Sequence, residues 1–302
     1  MNYRYIFFKL TLVFFLSCSG TSKKNEGKPS DKDFSWIENS DFKQPASVAY
    51  SSREDEYKQS VENEPLSRES LATLPESKLE DIEESSGKDI SKMMAACYRK
   101  EFEKAFSIMD EVYRQYKDNP IYWNQVGSCY FLMGDNQKAK LFYNKSKSLK
   151  KDYAPPINNL GVYYQNLGFD QRALSAYKEA AKLNSFSLTP LYNISQLYLR
   201  YGIFKKAING FKALNSKKKD DPEILNALAT AYLIKGDFKR SISYFSKIDD
   251  SLFRKPKIGI NLALALYLGG QKDEALKLVT HLKNEGLSDE YFKKIESYIV
   301  GR

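Results

Sequence analysis

Five glycines recur at one fixed interval through the C-terminal two-thirds of the chain. Gly134, Gly168, Gly202, Gly236 and Gly270 follow one another every 34 residues, and Lys100 stands one interval upstream. Other positions keep the same phase. Five residues after each member comes a small one: Ala105, Ala139, Ala173, Ala207, Ser241 and Ala275. Four residues before lie Tyr130, Tyr164, Tyr198 and Tyr232, with Ala96 and Leu266 in the outer registers. Seven before lie Gly127, Gly161, Ser195, Ala229 and Ala263, with Met93 as the exception. A period of this size marks one supersecondary unit stacked on copies of itself. Such an array works by presenting a surface and has no natural catalytic pocket.

Each unit reads as two helices. The periodic Gly belongs at the turn between them, where a positive φ is needed. Before it, the small residue and the Tyr are three apart and share a helix face. After it, the small residue opens a stripe that continues four later with Met109, Tyr143, Tyr177, Phe211, Phe245 and Val279. Three further on come Val112, Ser146, Ala180, Leu214, Ile248 and Leu282, completing the face of an amphipathic helix. Pro120, Pro155, Pro156, Pro190, Pro222 and Pro256 fall at the expected first turn of a first helix, where a missing N–H costs nothing.

These residues resemble the tetratricopeptide repeat. Trp123 to Tyr130 followed by Gly134 and Ala139 is similar to that family's W-x2-L-G-x2-Y…G…A pattern, and Asn159 to Tyr164 with Gly168, Ala173, Tyr177 and Ala180 is the cleanest copy. The resemblance covers about residues 86–288. It implies an all-α solenoid of about six helix pairs over 88–302, whose concave face, lined by first helices, takes a protein or an extended peptide. Ser288 to Val300, with a Ser cap, reads as a terminal helix shielding the last unit.

The first residues follow other rules. Arg4 and Lys9 precede an apolar stretch, Leu10 to Leu16, far short of the ~20 residues a spanning helix needs. Residues 1–17 read as an export signal. Phe15-Leu16-Ser17-Cys18 is similar to a bacterial lipobox, which implies cleavage before Cys18 and lipid attachment to it; an ordinary signal cut near Gly20 is the alternative. Residues 18–87 are poor in apolar side chains, which predicts a disordered tether. As a coil it would span about 40–50 Å.

Charge is divided unevenly. Residues 31–87 carry a net charge of −9, residues 1–30 carry +4, and the array holds +14 of the overall +9. One reading is that Lys138, Lys140, Lys145, Lys147, Lys205, Lys206, Lys239 and Lys272 solvate outer faces. The other is that the acidic tether, or an anionic envelope polymer, docks on the array. Export argues against nucleic acid.

No chemistry beyond binding is legible. His281 is the sole histidine, no Cys/His cluster has metal spacing, and the glycines mark turns in place of a phosphate loop. We therefore expect no enzyme activity, no cofactor and no small-molecule substrate. An exported pair could form a disulfide, but Cys97 and Cys129 sit two positions apart in register on successive first helices, and are expected as buried or free thiols. The concave face is expected to present Asn124, Asn158, Tyr192, Gln196, Asn226, Thr230 and Tyr267, with Asn159, Asn193 and Asn261 one position later. Asn amides both donate and accept, so a ladder of them suits the main chain of an extended peptide. The resulting expectation is a lipid-anchored adaptor of the bacterial envelope, at the outer membrane more than the inner since no Asp follows Cys18. A surface lipoprotein for host or envelope polymers, or a regulatory subunit of an envelope enzyme, stand as alternatives.

Overall fold

A computed structural model describes residue 80 and residues 89–185, 187–255 and 257–301. The export signal, Cys18 and, apart from Glu80, the acidic segment expected over 18–87 lie outside those residues. Among the described residues the chain is helical, with thirteen α-helices and no strand. They are α1 Asp89–Tyr98, α2 Phe102–Tyr116, α3 Pro120–Met133, α4 Asn136–Leu149, α5 Ala154–Asn166, α6 Asp170–Leu183 and α7 Thr189–Arg200. Then follow α8 Phe204–Lys217, α9 Pro222–Lys235, α10 Phe238–Phe245, α11 Gly259–Leu268, α12 Lys272–Asn284 and α13 Glu290–Val300. They form two compact units that divide within α7, one ending at Ile194 and the other starting at Ser195.

Odd-numbered helices are first helices, even-numbered ones second helices. The five periodic glycines all adopt a left-handed conformation, with φ between 73° and 93°. Lys100 takes the same conformation, at φ 64°, which places the first unit in register although it lacks the Gly. Each turn closes by the same bond, from the N–H after the left-handed residue to the carbonyl four before it. The donors are Glu101, Asp135, Phe169, Ile203, Asp237 and Gln271; the acceptors are Ala96, Tyr130, Tyr164, Tyr198, Tyr232 and Leu266. This six-to-one bond satisfies a carbonyl that the helix end would otherwise leave without a partner.

Packing follows the stripe. All eighteen second-helix positions named above are buried, the six small ones at 1% exposure or less. In the unit ending at Ile194 the approach is closest at two glycines inside first helices. A Cβ on Gly127 would lie 2.7 Å from the Tyr143 ring, and one on Gly161 would lie 2.5 Å from that of Tyr177. The ring of the second helix thus fills the notch on the first. Its hydroxyl still finds a partner, Tyr143 donating to Ser128 Oγ at 3.3 Å and Tyr177 to Gln165 Oε1 at 2.7 Å. Across the array notch and filler vary together by register: Gly with Tyr twice, Ser195 with Phe211, Ala229 with Phe245, Ala263 with Val279. Within each unit second helices also pack on the following first helix, as α4 does on α5 and α8 on α9.

Three expectations require correction. Cys97 and Cys129 are not free thiols; they form a disulfide with Cα atoms 5.2 Å apart. Equal register is not what faces a neighbour. First helices touch at offsets of 32 residues here and 35 residues between paired asparagines, about one turn apart and so on one face. Second, α11 begins at Gly259 and not near residue 256, because Lys257 sits at φ 82° and cannot belong to a helix. The preceding second helix, α10, stops at Phe245 and gives way to a short 3-10 segment, Asp250–Leu252. Ile248 stays buried across that change. Third, the cap of α13 is Asp289, whose carboxylate accepts from Phe292 N–H at 3.0 Å, and not Ser288.

Candidate functional site

The first-helix face carries the residues chosen for peptide contact, and burial sorts them. In the unit ending at Ile194, Asn124, Asn158, Asn159 and Asn193 are all at least 96% buried. They form a relay across α3, α5 and α7. Asn193 Nδ2 donates to Asn158 Oδ1 at 3.1 Å, Asn158 Nδ2 to Asn159 Oδ1 at 3.4 Å, and Asn159 Nδ2 to Asn124 Oδ1 at 3.1 Å. An amide buried between helices must find a partner or lose its hydration uncompensated. Asn158 and Asn159 each both donate and accept within the relay, while Asn193 Oδ1 at its end is buried without a hydrogen-bond partner. Tyr192, on the same helix as Asn193, remains partly exposed.

The unit from Ser195 onward is arranged differently. Gln196, Asn226 and Tyr267 are partly exposed, while Thr230 and Asn261 are buried. Asn261 accepts a 2.5 Å hydrogen bond from the hydroxyl of Tyr291 on α13, so the terminal helix occupies that position. Burial pushes the Tyr291 hydroxyl well above the usual tyrosine range, keeping it a donor. Asn226 shares one feature with Asn193: its Oδ1 is buried and has no hydrogen-bond partner. A buried acceptor left unpaired costs about 1–3 kcal/mol. A main-chain N–H laid along α9 would relieve that cost.

A second periodic feature lies at the hairpin turns and was not read from the sequence. Four residues after the turn Gly comes Lys138, Arg172, Lys206 or Arg240. Each places its charge over the Tyr four before the Gly, 5.0 to 6.0 Å from the ring centroid. Lys138 and Arg240 also pair with Asp135 and Asp237, each at 3.4 Å. Those two aspartates cap α4 and α10 by accepting from Lys138 and Arg240 N–H. Part of the basic charge is therefore committed to closing the turns. The signal was available: a basic residue eight after each periodic Tyr, in four successive units.

Catalytic candidates stay scattered. Among the described residues no three His, Cys, Asp or Glu side chains gather as a metal site requires. His281 is exposed on α12. No described helix is long and apolar enough to cross a membrane. Among the described residues, clefts wide open to solvent lie beside the turns at Gly236 and Gly269 and over Ile157 and Leu160, with Lys147 and Glu179 at the rim of the latter.

Comparison with known proteins bears on the fold. The tetratricopeptide repeat family model matches residues 121–153, the segment of α3, α4 and the loop that follows. The sequence matches no curated protein. Among solved structures, the APC/C hetero-tetramer Cut9–Hcn1 superposes with a TM-score of 0.61 at 17% identity, covering 78% of this chain and 46% of that one. The chain thus spans less than half the length of that protein. PilW, a type IV pilus biogenesis factor, superposes with a TM-score of 0.57 at 18% identity, covering 70% of this chain and 98% of that one. PilF of Pseudomonas aeruginosa gives 0.56 at 13% identity, covering 73% and 99%. At these identities the likeness is one of fold. The repeat match covers α3 and α4, and six turns of one geometry and eighteen buried stripe positions continue the same phase in both units, a fold similar to that of tetratricopeptide-repeat proteins.

Proposed function

We propose that this chain is a non-catalytic adaptor of the bacterial cell envelope, tethered by a lipid on Cys18 and gripping an extended peptide or protein segment along its first helices. The observation that carries the binding role is Asn226, whose buried Oδ1 has no partner on a helix face where Gln196 and Tyr267 are also reachable. A peptide running along that face would supply the donor, with neighbouring apolar surface reading its side chains. The buried Cys97–Cys129 disulfide supports the exported address, because such bonds form and persist in oxidising compartments. Phe15-Leu16-Ser17-Cys18 supports the anchor.

A photo-crosslinking amino acid at Gln196 in living cells tests the binding role, with Leu141, 61% exposed on α4, as control. One discrete adduct from Gln196 alone names the partner. Equal labelling from both sites removes the face from consideration. Separately, Cys18→Ser should shift the protein from the membrane to the soluble fraction and abolish acylation detected by mass spectrometry. A Cys18→Ser protein that stays with the membrane overturns the anchor.

A further inference from the structure

The first hairpin, α1–α2, departs from the repeat at each position that closes the others. Lys100 stands where the turn needs a left-handed residue, and L side chains pay about 1–2 kcal/mol to adopt that conformation. Ala96 replaces the Tyr, so no ring lies beneath Lys104, which pairs instead with Glu101 at 3.1 Å among exposed side chains. Met93 replaces the small residue, so there is no notch for an aromatic ring, and Met109 takes the filler position. Helix α1 has 10 residues, short for independent stability. Beside the apolar cluster that α1 and α2 share with α3, it has a covalent bond to that helix, Cys97 to Cys129, with both residues only 1% exposed.

We propose that this disulfide is a redox latch: α1–α2 docks on α3 while the bond is closed and undocks when it is reduced, the rest of the array staying folded. The chemistry balances as thiol–disulfide exchange. Two thiols of this chain lose two protons and two electrons to form the S–S bond, and an external disulfide is reduced to two thiols; reduction by a dithiol runs the same exchange backwards. Because both sulfurs are buried, exchange proceeds through transient local opening around the bond, and once it is reduced the opened hairpin is no longer held to α3. Undocking would uncover Tyr122, Val126 and Cys129 on α3, all now within 3% of complete burial. The compartment supplies the signal. This inference goes beyond the adaptor role and stands if that role fails, since it concerns the hairpin and not the partner.

Hydrogen–deuterium exchange on the full chain, oxidised and after dithiothreitol, tests it. Amides of α1 and α2 should exchange faster on reduction by on the order of 100-fold, the effect expected when a bond closing a loop of this length is lost. Protection in α5 to α13 should not change. Unchanged exchange in α1 and α2, or loss of protection throughout, overturns the latch. Cys97→Ala/Cys129→Ala should behave as the reduced wild type; a double variant as protected as the oxidised chain also overturns it. So does alkylation of both cysteines in protein isolated without reductant.

Discussion

The first hairpin and the two that follow it reach one geometry by different means. In α3–α4 and α5–α6 the turn is a Gly, a Tyr lies under a basic residue, and a ring from the second helix fills a glycine notch on the first. In α1–α2 the turn is a strained Lys, ring and notch are missing, and a disulfide joins the hairpin to its neighbour. The comparison separates what the repeat requires from how it is held. The turn conformation and the buried stripe appear in all hairpins; the fastening differs. A hairpin closed by size-matched side chains is stable by local packing alone, whereas one closed by a bond depends on its surroundings.

The strongest test of that distinction is Ala173→Phe. Ala173 is fully buried against α5, and overfilling such a site costs about 1–3 kcal/mol or more. A circular-dichroism melt should show a clearly lowered transition; a melt matching wild type sinks the packing scheme. Next comes Gly161→Ala, whose new Cβ would meet the Tyr177 ring 2.5 Å away. It should lose about 1–3 kcal/mol by urea denaturation, while Ala229→Gly, in the same register, should lose only about 0.5–1 kcal/mol as a helix-interior glycine. Equal losses would show that the notch is not specific to the Gly–Tyr pairs.

Alkaline pH should act on the first hairpin before the others. Burial, with the Asp110 charge adding to it, raises the Tyr122 hydroxyl from 10.0 to about 12, and that hydroxyl donates to Met109 O on α2. The neutral form is the folded one, so its contribution is complete below pH 10 and is lost as pH rises through about 12. Tyrosinate absorbance should therefore rise together with faster exchange in α2, and titration without such opening counts against the coupling. The smallest effect is a gain. Lys100→Gly removes the left-handed strain at the cost of a more flexible unfolded chain, a net stabilisation of about 0.5–1 kcal/mol of α1–α2. A loss on substitution would mean that Lys100 does more than turn the chain.

Much of this fold could be read from residue type and interval. The turn glycines, the small positions and the second-helix stripe are one-dimensional facts, and packing preserved them because each unit repeats one set of neighbours. The disulfide escaped because alignment by period hides the offset at which adjacent first helices touch; Cys97 and Cys129 look mismatched at 34 residues and meet at 32. The asparagines were visible as a ladder, but their partners were not. Whether an amide points toward a neighbouring helix or a groove depends on helix rotation, and rotation turned Asn124, Asn158, Asn159 and Asn193 toward one another. Lys257 and the early end of α10 left no periodic trace, since both belong to an irregular link between two regular helices. The basic residues over tyrosines were counted as surface charge because composition does not record what lies beneath a side chain.

The turns have a consequence for how the array can change. The bond from the residue after the left-handed position to the carbonyl four before it lies wholly within one hairpin, as do the basic residue and its ring. Duplicating or deleting a full 34-residue segment between α3 and α10 therefore breaks none of these closures and asks only that the new neighbours match in size. The extent of the first-helix face is set by whole hairpins, as the length of a zip is set by its teeth. The amino-terminal pair is the one module that cannot be moved alone, because half of its fastening is written into the hairpin next to it.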